Sequence, residues 1–174
     1  MFATTTQIGE SFAGEGVDAA HVNTVLGRYG GAVETAWATA LATPRPGNAA
    51  FVAVLRPNLP VQPLTLFVNK ATIAGDRHGE LTWGAAQAGV AAGVADAVAD
   101  GVVPEAEAAD LLLIAAVWVN PDANDADAVF ANNRRAVAEA LSNGAARRPS
   151  IADVLAHRDA PFNPYYRPPP DFPA

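Results

Sequence analysis

Gly14-Glu-Gly-Val-Asp-Ala-Ala-His-Val-Asn-Thr-Val-Leu-Gly-Arg-Tyr-Gly-Gly31 is an alternating run closed by glycines at both ends. Read as a strand, it sets Ala20, Val22, Thr24 and Leu26 on one face and His21, Asn23 and Val25 on the other. Successive side chains of an extended chain point to opposite sides, so two polar groups two residues apart share a direction. The flanking glycines form turns that let another backbone or a ligand come close. Immediately upstream, residues 4–12 read as a first strand that ends at Ala13-Gly14. With residues 19–27 as the second strand, the segment predicts a β-hairpin.

Downstream, Ala32 to Ala42 has a helical pattern, with Val33, Trp37, Ala40 and Leu41 as its apolar stripe and Thr43-Pro44 as its stop. Ala49 to Leu55 is nearly all apolar, as a strand covered on both faces would be. Pro57-Asn-Leu-Pro60 connects it tightly to a strand over Leu64 to Thr72. On that strand Leu66, Val68, Lys70 and Thr72 share one face and Phe67, Asn69 and Ala71 the other. Lys70 and Thr72 thus repeat the i, i+2 polar pattern of His21 and Asn23.

Residues 80–101 read as the longest helix, rich in Gly84, Ala85, Ala88, Gly89, Ala92 and Gly93. Each glycine costs about 0.5–1 kcal/mol of helix stability relative to alanine. Close approach to a sheet or to a neighbouring subunit is the compensation expected. Gln87 on this helix reads either as solvent-facing or as an amide turned toward a polar ligand. Pro104 opens a short acidic helix, and Leu111 to Val119 is a buried strand. Asp122-Ala-Asn-Asp-Ala-Asp opens the next helix, with acids near its positive N-terminal end; it runs to about Ser142 and stops at Asn143-Gly144. Ser150 caps a last short helix through His157.

The order β-β-α-β-β-α-α-β-α-α predicts an α+β or two-layer α/β fold in a single domain over residues 1–160. Residues 161–174 form a C-terminal tail in which six of fourteen residues are proline. Such a tail is neither helix nor central strand. Its four aromatics suggest an arm along a surface of this chain or a neighbour, with disorder as the alternative.

Composition narrows the function classes. Eleven basic residues against eighteen acidic ones leave a net charge of −7, which argues against nucleic acid as a partner. The pairs Arg134-Arg135 and Arg147-Arg148 read as solvated helix faces or interface contacts. No apolar run reaches the roughly 18 residues of a membrane span; residues 84–99 come nearest but contain Gln87 and Asp96. The N-terminal Met-Phe-Ala-Thr-Thr-Thr-Gln lacks a basic n-region and an apolar h-region. The expectation is a cytoplasmic protein without a secretory signal. Cysteine is absent, which removes disulfides, thiolate ligands and cysteine nucleophiles.

Ten of the eleven basic residues are arginine, and Lys70 is the only lysine. Arginine cannot replace lysine where a compact, deprotonatable charge is required, although a lone lysine is also compatible with chance. His21, His78 and His157 lack metal-ligand spacing, so no metal is expected. Neither a P-loop nor a nucleophile-elbow signature is present. What remains is His21, Asn23, Lys70, Thr72 and Gln87: one titrating group, one cation and three neutral hydrogen-bonding groups. That set suits proton transfer on a small polar ligand. The bland reading of His21 is a structural strand histidine.

At these residues the chain resembles the formaldehyde-activating enzyme family. The matching blocks are Gln7-Ile-Gly-Glu-Ser-Phe-Ala-Gly-Glu-Gly16, Ala20-His-Val-Asn-Thr-Val-Leu-Gly27 and Glu34-Thr-Ala-Trp-Ala-Thr-Ala-Leu41. They continue through Pro57-Asn-Leu-Pro60, Thr65-Leu-Phe-Val-Asn-Lys-Ala-Thr72, Gly84-Ala-Ala-Gln87 and Asp96-Ala-Val-Ala-Asp-Gly-Val-Val-Pro104. Together they cover roughly residues 5–145. The resemblance implies a lyase that condenses formaldehyde with tetrahydromethanopterin, a co-substrate, to methylene-tetrahydromethanopterin and water. The implied setting is one-carbon metabolism, methylotrophy and formaldehyde detoxification. It also implies a fold like domain 2 of ribosomal protein S5, and a homopentamer with active sites between subunits.

By the same resemblance the acid histidine falls on His21, and the pterin-contacting lysine, threonine and glutamine on Lys70, Thr72 and Gln87. A leucine that packs in the family site is Val52 here. The departure is Asn23, where the family pattern has aspartate. A carboxylate there would favour imidazolium and stabilise the iminium formed when the hydroxymethyl intermediate loses water; asparagine supplies no charge. Two functions follow as expectations. One is a working or weakened enzyme, with His21 as proton donor. The other is a non-catalytic paralogue that binds a pterin or formaldehyde adduct as a carrier or sensor.

Overall fold

The computed structural model describes residues 6–164, 166, 167 and 169. Residues 4 and 5 of the expected first strand, most of the N-terminal stretch, and residues 165, 168 and 170–174 of the tail lie outside the described residues. The hairpin forms as the alternation requires, with β1 (Gln7–Ala13) antiparallel to β2 (Ala20–Arg28). Helix α1 (Ala32–Ala42) follows, then the short strands β3 (Phe51–Val52), β4 (Val54–Arg56) and β5 (Leu59–Pro60), and β6 (Leu64–Asn69). Helices α2 (Asp76–Glu80) and α3 (Gln87–Ala99) are joined by a π-helical turn over Leu81–Ala86. Strand β7 (Leu111–Trp118), α4 (Ala126–Ala145) and α5 (Ile151–Ala156) complete the order.

Among the described residues, five strands make one mixed sheet in the order β1-β2-β7-β6-β3. β6 runs parallel to β7 and the other neighbours are antiparallel. The result is one small α+β domain. Residues directly opposite in an antiparallel pair share a face, and the register sets Ser11 against Val22 and Ala13 against Ala20 on the covered side. There they meet α4, where Ser11 Oγ donates to Glu139 Oε2 at 2.8 Å. Val22, Leu26, Phe67, Leu113 and Val117 bury fully in the same core as Val90, Val94 and Val137 of the helices. Each such side chain contributes about 1.5–3 kcal/mol.

Glycine lets the layers approach. A Cβ on Gly9 would lie 1.8 Å from the carbonyl oxygen of Ala140, so β1 touches the backbone of α4. A Cβ on Gly89 would meet Phe130 O at 2.4 Å, and one on Gly93 would meet Arg134 O at 2.3 Å. At Gly89 and Gly93 the small face of the long helix is therefore compensated by a neighbouring helix of the same chain, while a Cβ on Gly84 would meet nothing within 4 Å. Arg134 also reaches back to α3 with a bidentate contact to Asp96, 2.6 and 2.8 Å. It is an interhelical tie on an exposed face.

Other expectations need correction. The apolar run at 49–55 is not a strand covered on both faces: it breaks at Ala53 into β3 and β4, at the sheet edge, and Leu55 is exposed. The long helical stretch starts at Asp76, before residue 80, because the helix continues through the π turn. α4 does not stop at Asn143-Gly144 but runs to Ala145, since Gly144 is used for packing near Ile8 and Gly9. On α1 only Val33 of the expected stripe is buried, and Leu41 is 40% exposed. The expected cap at Ser150 holds, forming a capping box with Asp153, and Asp125 caps α4 by accepting from the amides of Asp127 and Ala128. No helix among the described residues is long and apolar enough to cross a membrane.

The glycine contacts give the first prediction. Gly93→Ala gains about 1 kcal/mol of helix propensity, but its methyl group meets backbone that cannot turn aside, and overpacking of this kind costs about 1–3 kcal/mol. Denaturant unfolding should show a lower midpoint for the variant. A higher midpoint would mean that α3 and α4 separate freely.

Candidate active site

The pleat of β2 decides where the polar residues go. With Ala20, Val22 and Thr24 turned into the helix layer, His21 and Asn23 emerge on the opposite face. In the register His21 sits between Phe12 of β1 and Trp118 of β7, and Asn23 sits between Glu10 and Ala116. The Phe12 and His21 rings lie 6.2 Å apart and tilted. Lys70 arrives from the end of β6. Its amide donates to Val117 O at 2.7 Å. The side chain of its buried neighbour Asn69 donates to Gly47 O and Ala71 O, which fixes the turn.

These placements put four polar side chains in one cluster. Lys70 Nζ donates to Asn23 Oδ1 at 2.8 Å and lies 3.3 Å from His21 Nδ1. On the other side of the ring, His21 Nε2 is 2.9 Å from Glu10 Oε1. Lys70 has only protons to offer, so Nδ1 accepts and Nε2–H donates to Glu10. Both contacts fit one neutral tautomer. Partial burial is the larger influence and Lys70 the next, and together they hold the His21 pKa below 6.5; Glu10 acts in the opposite sense by charge and by hydrogen bond. Withdrawal from water also lowers Lys70, against the pull of Glu10. The free protein therefore favours neutral imidazole, and His21 must gain a proton before it can act as an acid.

A groove of about 1080 Å³ opens beside this cluster, lined by Glu10, Phe12, His21 and Trp118 together with Phe162, Pro164 and Arg167 of the tail. That size suits a ligand larger than formaldehyde alone. Asn163 and Tyr166 pair their backbones at 2.9 and 3.1 Å, so the described part of the tail makes a turn, exposed, at the rim of this groove.

The other sequence-derived residues stand apart. Thr72 Oγ1 donates to Asn48 Oδ1 at 3.1 Å, beyond the end of β6. Lys70 and Thr72 do not act as one pair, because the strand ends at Asn69. Gln87 is 8% exposed and donates to Val54 O at 2.9 Å, tying α3 to β4; it is not solvent-facing. Val52 is half-buried on β3, opposite Leu66. Thus the fold gathers His21, Asn23 and Lys70, and leaves Thr72, Gln87 and Val52 in other surroundings. Glu10 is the member that sequence reasoning missed; its alternation on β1 placed it on the open face, but nothing local aligned that face with His21.

The remaining histidines are occupied elsewhere. His78 is buried, accepts from the Ala74 amide at Nδ1 and donates from Nε2 to Val119 O at 3.1 Å. His157 Nδ1 contacts Asp153 O at the exposed end of α5. Among the described residues, no three acidic or histidine side chains group as a metal site.

The chain matches the family model of the formaldehyde-activating enzyme over residues 8–166. It belongs to the formaldehyde-activating enzyme family. It is 41% identical over 160 residues to 5,6,7,8-tetrahydromethanopterin hydro-lyase of Methanosarcina barkeri, covering 92% of this chain and 90% of that protein. It is 35% identical over 159 residues to the bifunctional enzyme Fae/Hps of Archaeoglobus fulgidus, and 38% over 152 residues to that of Methanococcoides burtonii. The chain spans 40% and 38% of those two bifunctional proteins.

The opposed charges around His21 yield the second prediction. Lys70→Gln should raise the His21 pKa, read by NMR titration of the ring. The fold then binds the proton less reluctantly, so the stability that His21 loses as pH falls below 6.5 should shrink too. An unchanged or lower pKa would show that Lys70 does not face Nδ1 in solution.

Proposed function

We propose that this protein condenses formaldehyde with tetrahydromethanopterin, giving methylene-tetrahydromethanopterin and water, and that His21 moves the protons. The observation that carries this reading is the His21 imidazole held between a carboxylate and an ammonium at a groove, in a chain of this family. Its first relative's name, a tetrahydromethanopterin hydro-lyase, supports the substrate. Bound pterin and formaldehyde are the partners, with no metal required.

Addition of a pterin amine to formaldehyde makes a C–N bond and liberates the amine proton. Neutral His21 is suited to accept it. The carbonyl oxygen takes a proton from solvent and becomes the hydroxyl of the hydroxymethyl intermediate. His21 then returns its proton to that hydroxyl, the C–O bond breaks, water leaves and the nitrogen lone pair forms the iminium. A second pterin amine closes on the iminium carbon and releases a proton to solvent, which balances the sequence. Lys70 and Asn23 hold the ligand and one another, and Glu10 lies where it offsets the iminium charge.

Thr72, Gln87 and Val52 enter this reading as pterin contacts supplied at a site between subunits of a homopentamer, which accounts for their distance from His21 in one chain. Residues 1–160 would form the ribosomal protein S5 domain 2-like unit, residues 161–174 its tail, and the cytoplasm the place of action. The carrier or sensor alternative finds no observation that favours it.

The test is direct: mix protein, formaldehyde and tetrahydromethanopterin and follow methylene-pterin formation. The rate should exceed the uncatalysed one, and His21→Gln should lower kcat about 10²–10⁴-fold, the usual contribution of a positioned acid–base group. No acceleration by the native protein would overturn the enzyme reading in favour of a pterin binder.

A further inference from the structure

Glu10 is the acidic neighbour of His21. It stands on the open face of β1, directly opposite Asn23, with Oε1 2.9 Å from His21 Nε2. Side chains at opposed positions of an antiparallel pair reach the same space, since their Cβ atoms lie about 4.5–5.5 Å apart. A carboxylate on residue 10 and one on residue 23 would thus both place negative charge near the imidazole, the first at Nε2 and the second beside Lys70 on the Nδ1 side. Asn23 is engaged with Lys70 through Oδ1, so its amide anchors the ammonium.

We propose that Glu10 is the carboxylate partner of His21, a positioning residue that holds the Nε2–H tautomer and supplies from β1 the negative charge that Asn23 lacks. This rests on the enzyme reading above. The groups facing the ring are Glu10 from β1 and Lys70 from the end of β6, with Phe12 and Trp118 flanking it and Glu15 and Arg167 on the groove wall. Glu10 is the acid in hydrogen-bond contact with the ring.

The consequence is a division of labour between the two ring nitrogens. Nε2 is committed to Glu10, so the proton that moves is carried on Nδ1, the atom that Lys70 covers in the free protein. A ligand that draws Lys70 aside uncovers Nδ1, and Glu10 then stabilises the imidazolium that forms. The Nδ1 proton passes to the departing hydroxyl, the C–O bond breaks and water leaves. The amine lone pair forms the C=N bond, and the ring returns to the neutral tautomer still donating from Nε2 to Glu10.

Glu10→Gln keeps the size of the side chain and removes the charge at a position 59% exposed. NMR titration of the His21 ring in the free variant should show a lower pKa than in the native protein. Its kcat near neutral pH should fall about tenfold per unit of that shift, with the acid limb of the pH profile moved the same way. The double variant Glu10→Gln/Asn23→Asp, which moves the carboxylate across the strand pair, should bring the pKa and kcat back toward native values. A His21 pKa unmoved by Glu10→Gln, or a lowered pKa with kcat and its pH profile unchanged, overturns the proposal. If the native protein fails to condense formaldehyde with the pterin, the enzyme reading falls, while the titration still decides the Glu10–His21 pairing.

Discussion

The structure depends on the pleat of β2. Its even-numbered residues pack into the helix layer, where Val22 and Leu26 are fully buried. A slip of one residue would send His21 and Asn23 into that core and bring Val22 and Leu26 to the open face. Either change would cost several kcal/mol, because a polar group buried without its partner is penalised as well as each apolar side chain exposed. The hydrophobic pattern therefore fixes the direction in which the chemistry points. The glycine contacts between β1, α3 and α4 then hold the covered side at short range, leaving the opposite face as the one free to line a groove.

On that face the governing interaction is electrostatic. His21 lies between an ammonium at Nδ1 and a carboxylate at Nε2, and partial burial with Lys70 outweighs Glu10. A resting imidazole that is neutral but sits next to a carboxylate is poised to take a proton and to keep it while Lys70 is engaged elsewhere. The sequence named His21 as a proton donor without fixing its resting charge, because desolvation is invisible in a list of residue types. The arrangement also changes the meaning of Asn23: the missing charge has a source on the neighbouring strand.

Much of the fold was legible locally. The β1–β2 hairpin, α1, β7 and the cap at Ser150 were readable because period-2 alternation and side-chain-to-backbone capping are short-range signals. The misreadings share a different cause. The run at 49–55 breaks at the sheet edge because apolar character alone does not distinguish a central strand from an edge one. Gln87 is not solvent-facing, one of its two readings, because it is buried and its amide donates to Val54 O; that partner lies 33 residues away. Gly144 reads as a helix stop, but contact with Ile8 and Gly9 overrides that signal.

The sequence by itself determined which face of β2 is polar, that Lys70 is the sole lysine, and which family the motifs resemble, since each is carried by residue identity and spacing. Only the tertiary structure decided which of those residues meet. Lys70 joins His21 and Asn23 because parallel pairing of β6 with β7 brings the end of β6 level with the start of β2, across β7. Thr72 and Gln87 do not, since one lies past the strand end and the other in the helix layer. Glu10 faces Asn23 through a register set across the hairpin, and a register is a relation between two strands that no single strand's periodicity contains.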